Sequence, residues 1–179
     1  MTETTRLFFD SLLIQNPVFM TFVGALMVTV LPPSARRSFV PAARYGVVFF
    51  FSMLTGGVFA LAVGELIAPV VFISVALIAI VLLRLWGELR LDWLGMPSMV
   101  LAAAPLVGLQ VMAASQGEFS LVVAAAGGYA LGFFAAFLII GGIREASRMT
   151  EARDVFKTNP VILFSMAMIA LALAGFLFW

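Results

Sequence analysis

Long apolar runs separated by short charged segments dominate the chain. Six runs come close to or exceed the roughly 20 apolar residues with which a helix crosses a bilayer. They are predicted at Phe8–Leu31, Tyr45–Leu66, Pro69–Leu83, Trp93–Ala114, Phe119–Ile143 and Pro160–Trp179. The pattern predicts an all-α integral membrane protein with six transmembrane helices and short connections.

The basic residues are distributed unequally between the two sides of this predicted bundle. Nine of the ten lie in the loops after the first, third and fifth runs: Arg36, Arg37, Arg44, Arg84, Arg90, Arg144, Arg148, Arg153 and Lys157. Arg6 is the one on the other side. Because loops rich in Lys and Arg stay in the cytoplasm, we expect a multi-pass protein of the bacterial inner membrane with both termini on the periplasmic side.

The six runs divide into two groups of three, within a single membrane domain over residues 1–179. An odd number of spans per group forces residues 1–88 and residues 89–179 into opposite orientations. The sequence therefore predicts two inverted three-helix repeats. The apolar helices predict the lipid bilayer as a partner, and we also expect other membrane proteins of a complex. The net charge of +1 gives no reason to expect nucleic acid.

Two prolines lie well inside apolar runs, one in the first span of each half. Pro17 follows Asn16, and Pro105 follows Ala104. Proline removes a backbone donor and clashes with the preceding turn, and Asn16 is suited to cap a helix that restarts at Pro17. We expect the first and fourth helices to be interrupted. Each break is either a packing kink or part of a polar pathway.

Small residues recur four apart on the second and fifth spans, a spacing that lets helix backbones approach closely. They are Gly56, Ala60 and Gly64 on the second span, and Ala124, Gly128, Gly132 and Ala136 on the fifth. We expect them to pack these helices against each other or against a partner.

The side-chain inventory excludes several kinds of chemistry. Hydrophobic residues make up 64% of the chain and charged residues 11%, with no cysteine and no histidine. Thiolate and imidazole catalysis and most metal sites are therefore excluded for this chain alone. No catalytic residue and no bound metal or cofactor is predicted. The longest polar segment forms the predicted cytoplasmic face, as a connector or a docking site for a peripheral protein, with Arg144, Glu145, Arg148, Phe156 and Lys157.

Four short stretches of the chain match a known family: Ile143–Glu145, Val155–Asn159, the stretch Val18–Gly24 after Asn16, and Pro97. In these motifs the chain resembles the Rnf/Nqr family of membrane proteins, which serves Rnf complexes and the Na⁺-pumping NADH:quinone oxidoreductase (Nqr). The resemblance implies six spans, an outside N-terminus and pairing with a homologous protein of inverted topology. It also implies an intramembrane [2Fe–2S] cluster held by cysteines of both proteins.

The chain departs from that family at the cluster ligands. Leu26 stands at the first cysteine position, and Ala103 or Ala104 at the second. Neither leucine nor alanine can ligate iron. The resemblance therefore implies the scaffold without its own iron–sulfur centre.

These observations predict a non-catalytic membrane subunit of a multi-subunit redox-driven or energy-converting complex. One alternative is a small stand-alone transporter or channel that works across the broken helices. Another is a structural accessory subunit of some other membrane assembly.

Overall fold

The computed structural model describes residues 2–24, 27, 35–64, 66–86, 98–149 and 159–175, and this part of the chain is helical. The helices are α1 (Glu3–Phe9), α2 (Ala35–Val63), α3 (Ala68–Leu85), α4 (Ser98–Ala114), α5 (Phe119–Met149) and α6 (Asn159–Gly175), and a π-helical turn, Asp10–Ile14, follows α1 directly.

Three stretches are long and apolar enough to cross a membrane, by length and composition. They are Ser38–Val63, Ala68–Leu85 and Phe119–Ala146, and two shorter apolar helices cover Ala102–Ala114 and Leu163–Gly175. The fold is therefore that of a helical membrane protein, as the hydropathy pattern predicts. The number of spans stays a prediction.

The centre of the bundle is an antiparallel pair, α2 and α5, joined by aromatic side chains. The ring centroids of Phe49 and Phe133 lie 4.5 Å apart, and those of Tyr45 and Phe137 lie 5.9 Å apart. Edge-on aromatic pairs of this kind add to the stability that burial alone provides. The α2–α5 pair forms the core on which the other helices pack.

Two further helices pack on this pair in a parallel direction. From Phe8 to Asn16, the first helix advances along α5 from Gly128 to Gly132, so both run the same way. On α4, Gln110 lies at Gly56 of α2 and Ala113 lies at Gly57. The contacts therefore pair α1 with α5 and α4 with α2.

The predicted interruption at Pro105 is not present, because α4 continues as one helix from Ser98 to Ala114 with Pro105 inside it. Pro41 likewise lies inside α2. A proline removes one helical hydrogen bond, and neighbouring helices hold such a helix together in a membrane bundle. Pro105 is buried among its neighbours, so packing dominates over the local preference to break.

The second span ends earlier than its hydropathy predicts. Helix α2 ends at Val63, and Gly64 adopts a φ of 80° with its N–H donating to the Ala60 carbonyl at 3.1 Å. A Cβ at Gly64 would meet nothing within 4 Å. Gly64 therefore terminates the helix, a role that glycine commonly fills, and among the described residues no other helix packs at this position.

Candidate functional site: a helix break at the centre of the bundle

The first helix is broken by the predicted Asn16–Pro17 pair. After the π-helical turn ends at Ile14, the Oδ1 atom of Asn16 accepts hydrogen bonds from the backbone N–H groups of Val18 (3.0 Å) and Phe19 (3.4 Å). This is the capping geometry expected for Asn before Pro. A single turn follows, in which the Met20 N–H donates to the Asn16 carbonyl at 2.9 Å. Met27, the next residue that the structure describes after Gly24, is helical again.

Two residues of unusual backbone conformation turn the chain beyond that point. Phe22 has a φ of 55° and Gly24 a φ of 81°. Positive φ is routine for glycine, whereas for a bulky residue such as phenylalanine it is an outlier that stores strain. We call the stretch Gln15–Gly24 the break segment.

The other end of the Asn16 amide fixes the break to α5. Its Nδ2 donates to the carbonyls of Gly132 (3.0 Å) and Leu12 (3.2 Å), and the residue is 4% exposed. In a π-helical pattern the Leu12 carbonyl would accept from residue 17, but Pro17 has no N–H. The side chain of Asn16 thus supplies the donor that the proline removes.

The break segment stays at the middle of the bundle. Asn16 lies against Gly132, and Gly24 lies against Phe133, the next residue of α5. Gly132 and Phe133 are at the centre of the Phe119–Ala146 span. Residues 16 and 24 therefore lie at nearly the same height along α5.

Helices α4 and α5 close the inner side of the break segment. The Phe133 ring occupies the space where a Cβ on Gly24 would lie, and such a Cβ would be 3.4 Å from the Cβ of Pro105. A Cβ on Gly108 would be 3.5 Å from a methyl group of Val23. At Val23 and Gly24 the inner side is a packed apolar contact.

The outer side of the break segment is open. Thr21 is exposed and Phe22 is 48% exposed. The Thr21 hydroxyl donates to the Pro17 carbonyl at 2.7 Å. The backbone N–H groups of Thr21 and Phe22 find no acceptor among the described residues.

The small residues of α5 pack mainly on the first helix. A Cβ on Gly128 would lie 2.6 Å from both the Phe8 carbonyl oxygen and the Ser11 Cβ, and one on Gly132 would lie 3.0 Å from the Leu12 carbonyl oxygen. Ala124 and Ala136 are buried on the same helix. The glycines thus allow α1 and the π-helical turn to approach the α5 backbone.

The small residues of α2 meet α3 and α4. Ala60 belongs to a small apolar cluster with Ala68 and Phe72 of α3. The side chain of Gln110 on α4 fills the space beside Gly56. The notch left by Gly56 therefore accommodates a buried amide.

Gln110 and Ser52 form a second buried polar contact. The Nε2 of Gln110, which is 0% exposed, donates to the Ser52 hydroxyl oxygen at 3.0 Å and to the Leu106 carbonyl at 3.1 Å. Its Oε1 has no partner among the described residues, and neither has the buried hydroxyl of Ser11.

Three polar residues of this region were not predicted as site residues: Ser11, Ser52 and Tyr129. The hydroxyl of Tyr129 donates to Gln15 at 3.4 Å. Ser11 is identified only by its contact with Gly128, and Ser52 only by the hydrogen bond that it accepts from Gln110.

The residues at the family's cluster-ligand positions do not fit an iron–sulfur cluster. Ala103 is half-buried, Ala104 is exposed, and Leu26 lies outside the described residues. The sequence offers no cysteine or histidine to replace them. In the part of the chain that the structure describes, no three acidic or other ligating side chains come together.

The predicted cytoplasmic face is described in part. Arg144 and Glu145 lie within α5, are partly buried and have interaction partners. Arg148 also lies on α5, whereas Phe156 and Lys157 are outside the described residues. At the other end of the bundle, Arg6 and Asp10 form an ion pair of 3.7 Å.

The fold and the site define a helical membrane protein whose first helix is broken at the centre of the bundle. Comparison with known proteins finds no family model that matches the chain and no curated protein that is similar to it. The likeness to the Rnf/Nqr family therefore stays a prediction from short motifs.

Proposed function

We propose that the chain is a non-catalytic membrane subunit of a multi-subunit redox-driven or energy-converting complex, with an Rnf/Nqr-like arrangement of six spans in two inverted halves. The observation that carries the proposal is the break segment, which is packed on its inner side and open on its outer side. Non-helical backbone at membrane depth is tolerated where protein covers it or where it lines water. A chain whose outer side is covered by a partner satisfies this requirement.

The inverted arrangement has support in the helix contacts. The first helix of each predicted half packs, in parallel, on the second helix of the other half: α1 on α5, and α4 on α2. At each contact, an amide side chain lies on a glycine, Asn16 on Gly132 and Gln110 on Gly56. Exchanging the two halves leaves this pattern of contacts unchanged.

The alternative of a stand-alone transporter has less support. A pathway across the broken helix needs a polar route through the bundle, but Phe133, Pro105 and Val23 fill the inner side of the break with apolar groups. The buried polar residues are Ser11, Asn16, Ser38, Ser52 and Gln110, all uncharged, among the residues that the structure describes. This interior favours a static scaffold over an ion route.

Purification in a mild detergent tests the proposal. A tagged chain is expressed at native level, solubilised in digitonin and separated by size, and the co-purifying polypeptides are identified by mass spectrometry. We expect an assembly that contains further membrane proteins together with flavin- or cluster-binding proteins. A chain that purifies without other polypeptides and moves solute in liposomes would overturn the proposal.

A further inference from the structure

A cavity of about 680 Å³ lies between α2, α3 and α4, at the end of the bundle where α2 ends and α3 begins. Each helix contributes apolar side chains to its walls, among them Leu61, Ile73 and Val107. The turns at Gly64 and Gly117 form its mouth, and a Cβ on either glycine would meet nothing within 4 Å. The volume is within the range of sites for small organic molecules, roughly 300–1,000 Å³. We call this space the turn cavity.

The hydrogen-bond donors around the mouth are already bonded. The N–H groups of Ile67 and Ala68, at the start of α3, both donate to the Gly64 carbonyl, at 3.3 and 3.2 Å. Pro69 follows and has no N–H. The Ser115 hydroxyl donates to a carbonyl of α4 at 2.8 Å. Because a helix start binds an anion through N–H groups that point at it, the turn cavity does not favour an anionic ligand.

Two groups at the turn cavity favour a cation. Glu118 follows Gly117 directly and is exposed, which places an acidic group next to the mouth. The ring of Phe72, 7% exposed, forms part of the wall, and aromatic rings attract cations over their faces. Among the described residues no basic side chain lines the cavity, and Arg6, on α1, is paired with Asp10.

We propose that the turn cavity binds a lipophilic cation, a small molecule with an apolar body and one positive charge. The apolar body lies against Leu61, Ile73 and Val107, and the charge lies toward Glu118. Such a ligand reaches the cavity at the end of the bundle and needs no polar route through it. The inference goes beyond the proposed function and does not depend on it, because α2, α3 and α4 of one chain form the cavity.

Tetraphenylphosphonium and tetraphenylborate test the proposal, because these ions have nearly the same size and shape and carry opposite charges. The full chain is purified in a non-ionic detergent, and binding of each ion is measured by equilibrium dialysis against micelles without protein. We expect saturable binding of tetraphenylphosphonium. The affinity for tetraphenylborate should be lower by at least about tenfold.

Two pairs of variants locate the site. Ile73→Trp fills the cavity from α3, whereas Val81→Trp adds the same side chain elsewhere on α3, and the two positions are 55% and 56% exposed. We expect Ile73→Trp to abolish saturable binding and Val81→Trp to leave it unchanged. Glu118→Gln should weaken binding of tetraphenylphosphonium by about two- to fivefold, as for an exposed ion pair. Glu3→Gln, at an exposed position of α1, should have no effect.

The remaining outcomes contradict the proposal and leave the proposed function in place, since that function is tested by the co-purifying polypeptides. Absence of saturable binding would overturn the site, and equal affinity for the two ions would overturn its preference for a cation. Equal effects of Ile73→Trp and Val81→Trp would overturn its position. If Ile73→Trp fails to accumulate, Leu61→Trp, on the α2 wall, takes its place.

Discussion

The side chain of Asn16 donates a hydrogen bond to the backbone carbonyl of Gly132, with 3.0 Å between Nδ2 and the oxygen. The same side chain caps the turn that follows it through two backbone N–H groups. One residue therefore ends the first helix, shapes the next turn and fixes both to the central helix of the bundle. Its removal affects all three at once.

Replacement of Asn16 by alanine should destabilise the protein by about 1–3 kcal/mol, since buried groups lose their partners. The Gly132 carbonyl and the N–H of Val18 would be left without the bonds they make now. The measurement is the temperature at which the monodisperse peak is lost in detergent. Gln15→Ala is the control, because that neighbouring side chain is exposed and makes one long hydrogen bond. Equal effects of the two substitutions would contradict the role given to Asn16.

Replacement of Gly128 by alanine should loosen the contact between α1 and α5. The new methyl group would meet the Phe8 carbonyl and the Ser11 Cβ at 2.6 Å, and backbone cannot yield as a flexible side chain does. We expect a lower melting temperature and faster proteolysis in the first 24 residues. Gly142→Ala, on the same helix with nothing within 4 Å, should instead be neutral or stabilising by up to about 1 kcal/mol. A neutral Gly128→Ala would show that α1 does not pack at this distance.

Gly24 and Gly64 form a matched pair that separates backbone conformation from packing. Both have φ near 80°, but a Cβ on Gly24 would collide with the Phe133 ring, whereas one on Gly64 would meet open space. Gly64→Ala should cost about 1–2 kcal/mol for the left-handed conformation alone. Gly24→Ala should cost more, measured as unfolding in a detergent–denaturant titration. When Phe133→Leu is added to Gly24→Ala, part of the lost stability should be recovered. If no stability is recovered, the collision with the Phe133 ring is not the cause of the loss.

The contact between Gln110 and Ser52 should behave as a unit. Ser52→Ala removes one acceptor of the buried amide and should destabilise the protein by about 1 kcal/mol. Gln110→Met, nearly isosteric, also removes the Oε1 that has no partner among the described residues. The double variant should therefore be close to wild type, and the double-mutant cycle should give a coupling energy well above its error. Additive losses would mean that the two side chains do not interact.

The sequence correctly predicted a helical membrane protein and the position of the break in the first helix, and the reasons for the break are local. In an Asn–Pro pair inside an apolar run, the asparagine caps the turn that follows and the proline lacks a backbone N–H donor. Both effects act within a few residues. Pro105 lacks such a cap, and the surrounding packing keeps its helix continuous, which no local pattern reveals. Spacing alone also cannot show that Gly64 ends its helix in a left-handed conformation.

The sequence also could not predict which groups pack on the glycines. Small residues four apart indicate a close helix contact, but they do not identify the helix or side chain that makes it. In the structure the glycines of α5 receive the first helix, and Gly56 receives an amide from α4. The positive φ of Phe22 carried no signal at all, since phenylalanine is not a residue that favours it.

The bond between Asn16 and Gly132 joins residues 116 positions apart. During synthesis the first helix leaves the ribosome long before the carbonyl that it needs has been made. Its apolar run enters the bilayer early, but its break can reach its final geometry only after the fifth helix has inserted beside it. The break is therefore translated before α5 but completed after it, and a chain truncated before residue 132 would hold an unfinished break in the membrane.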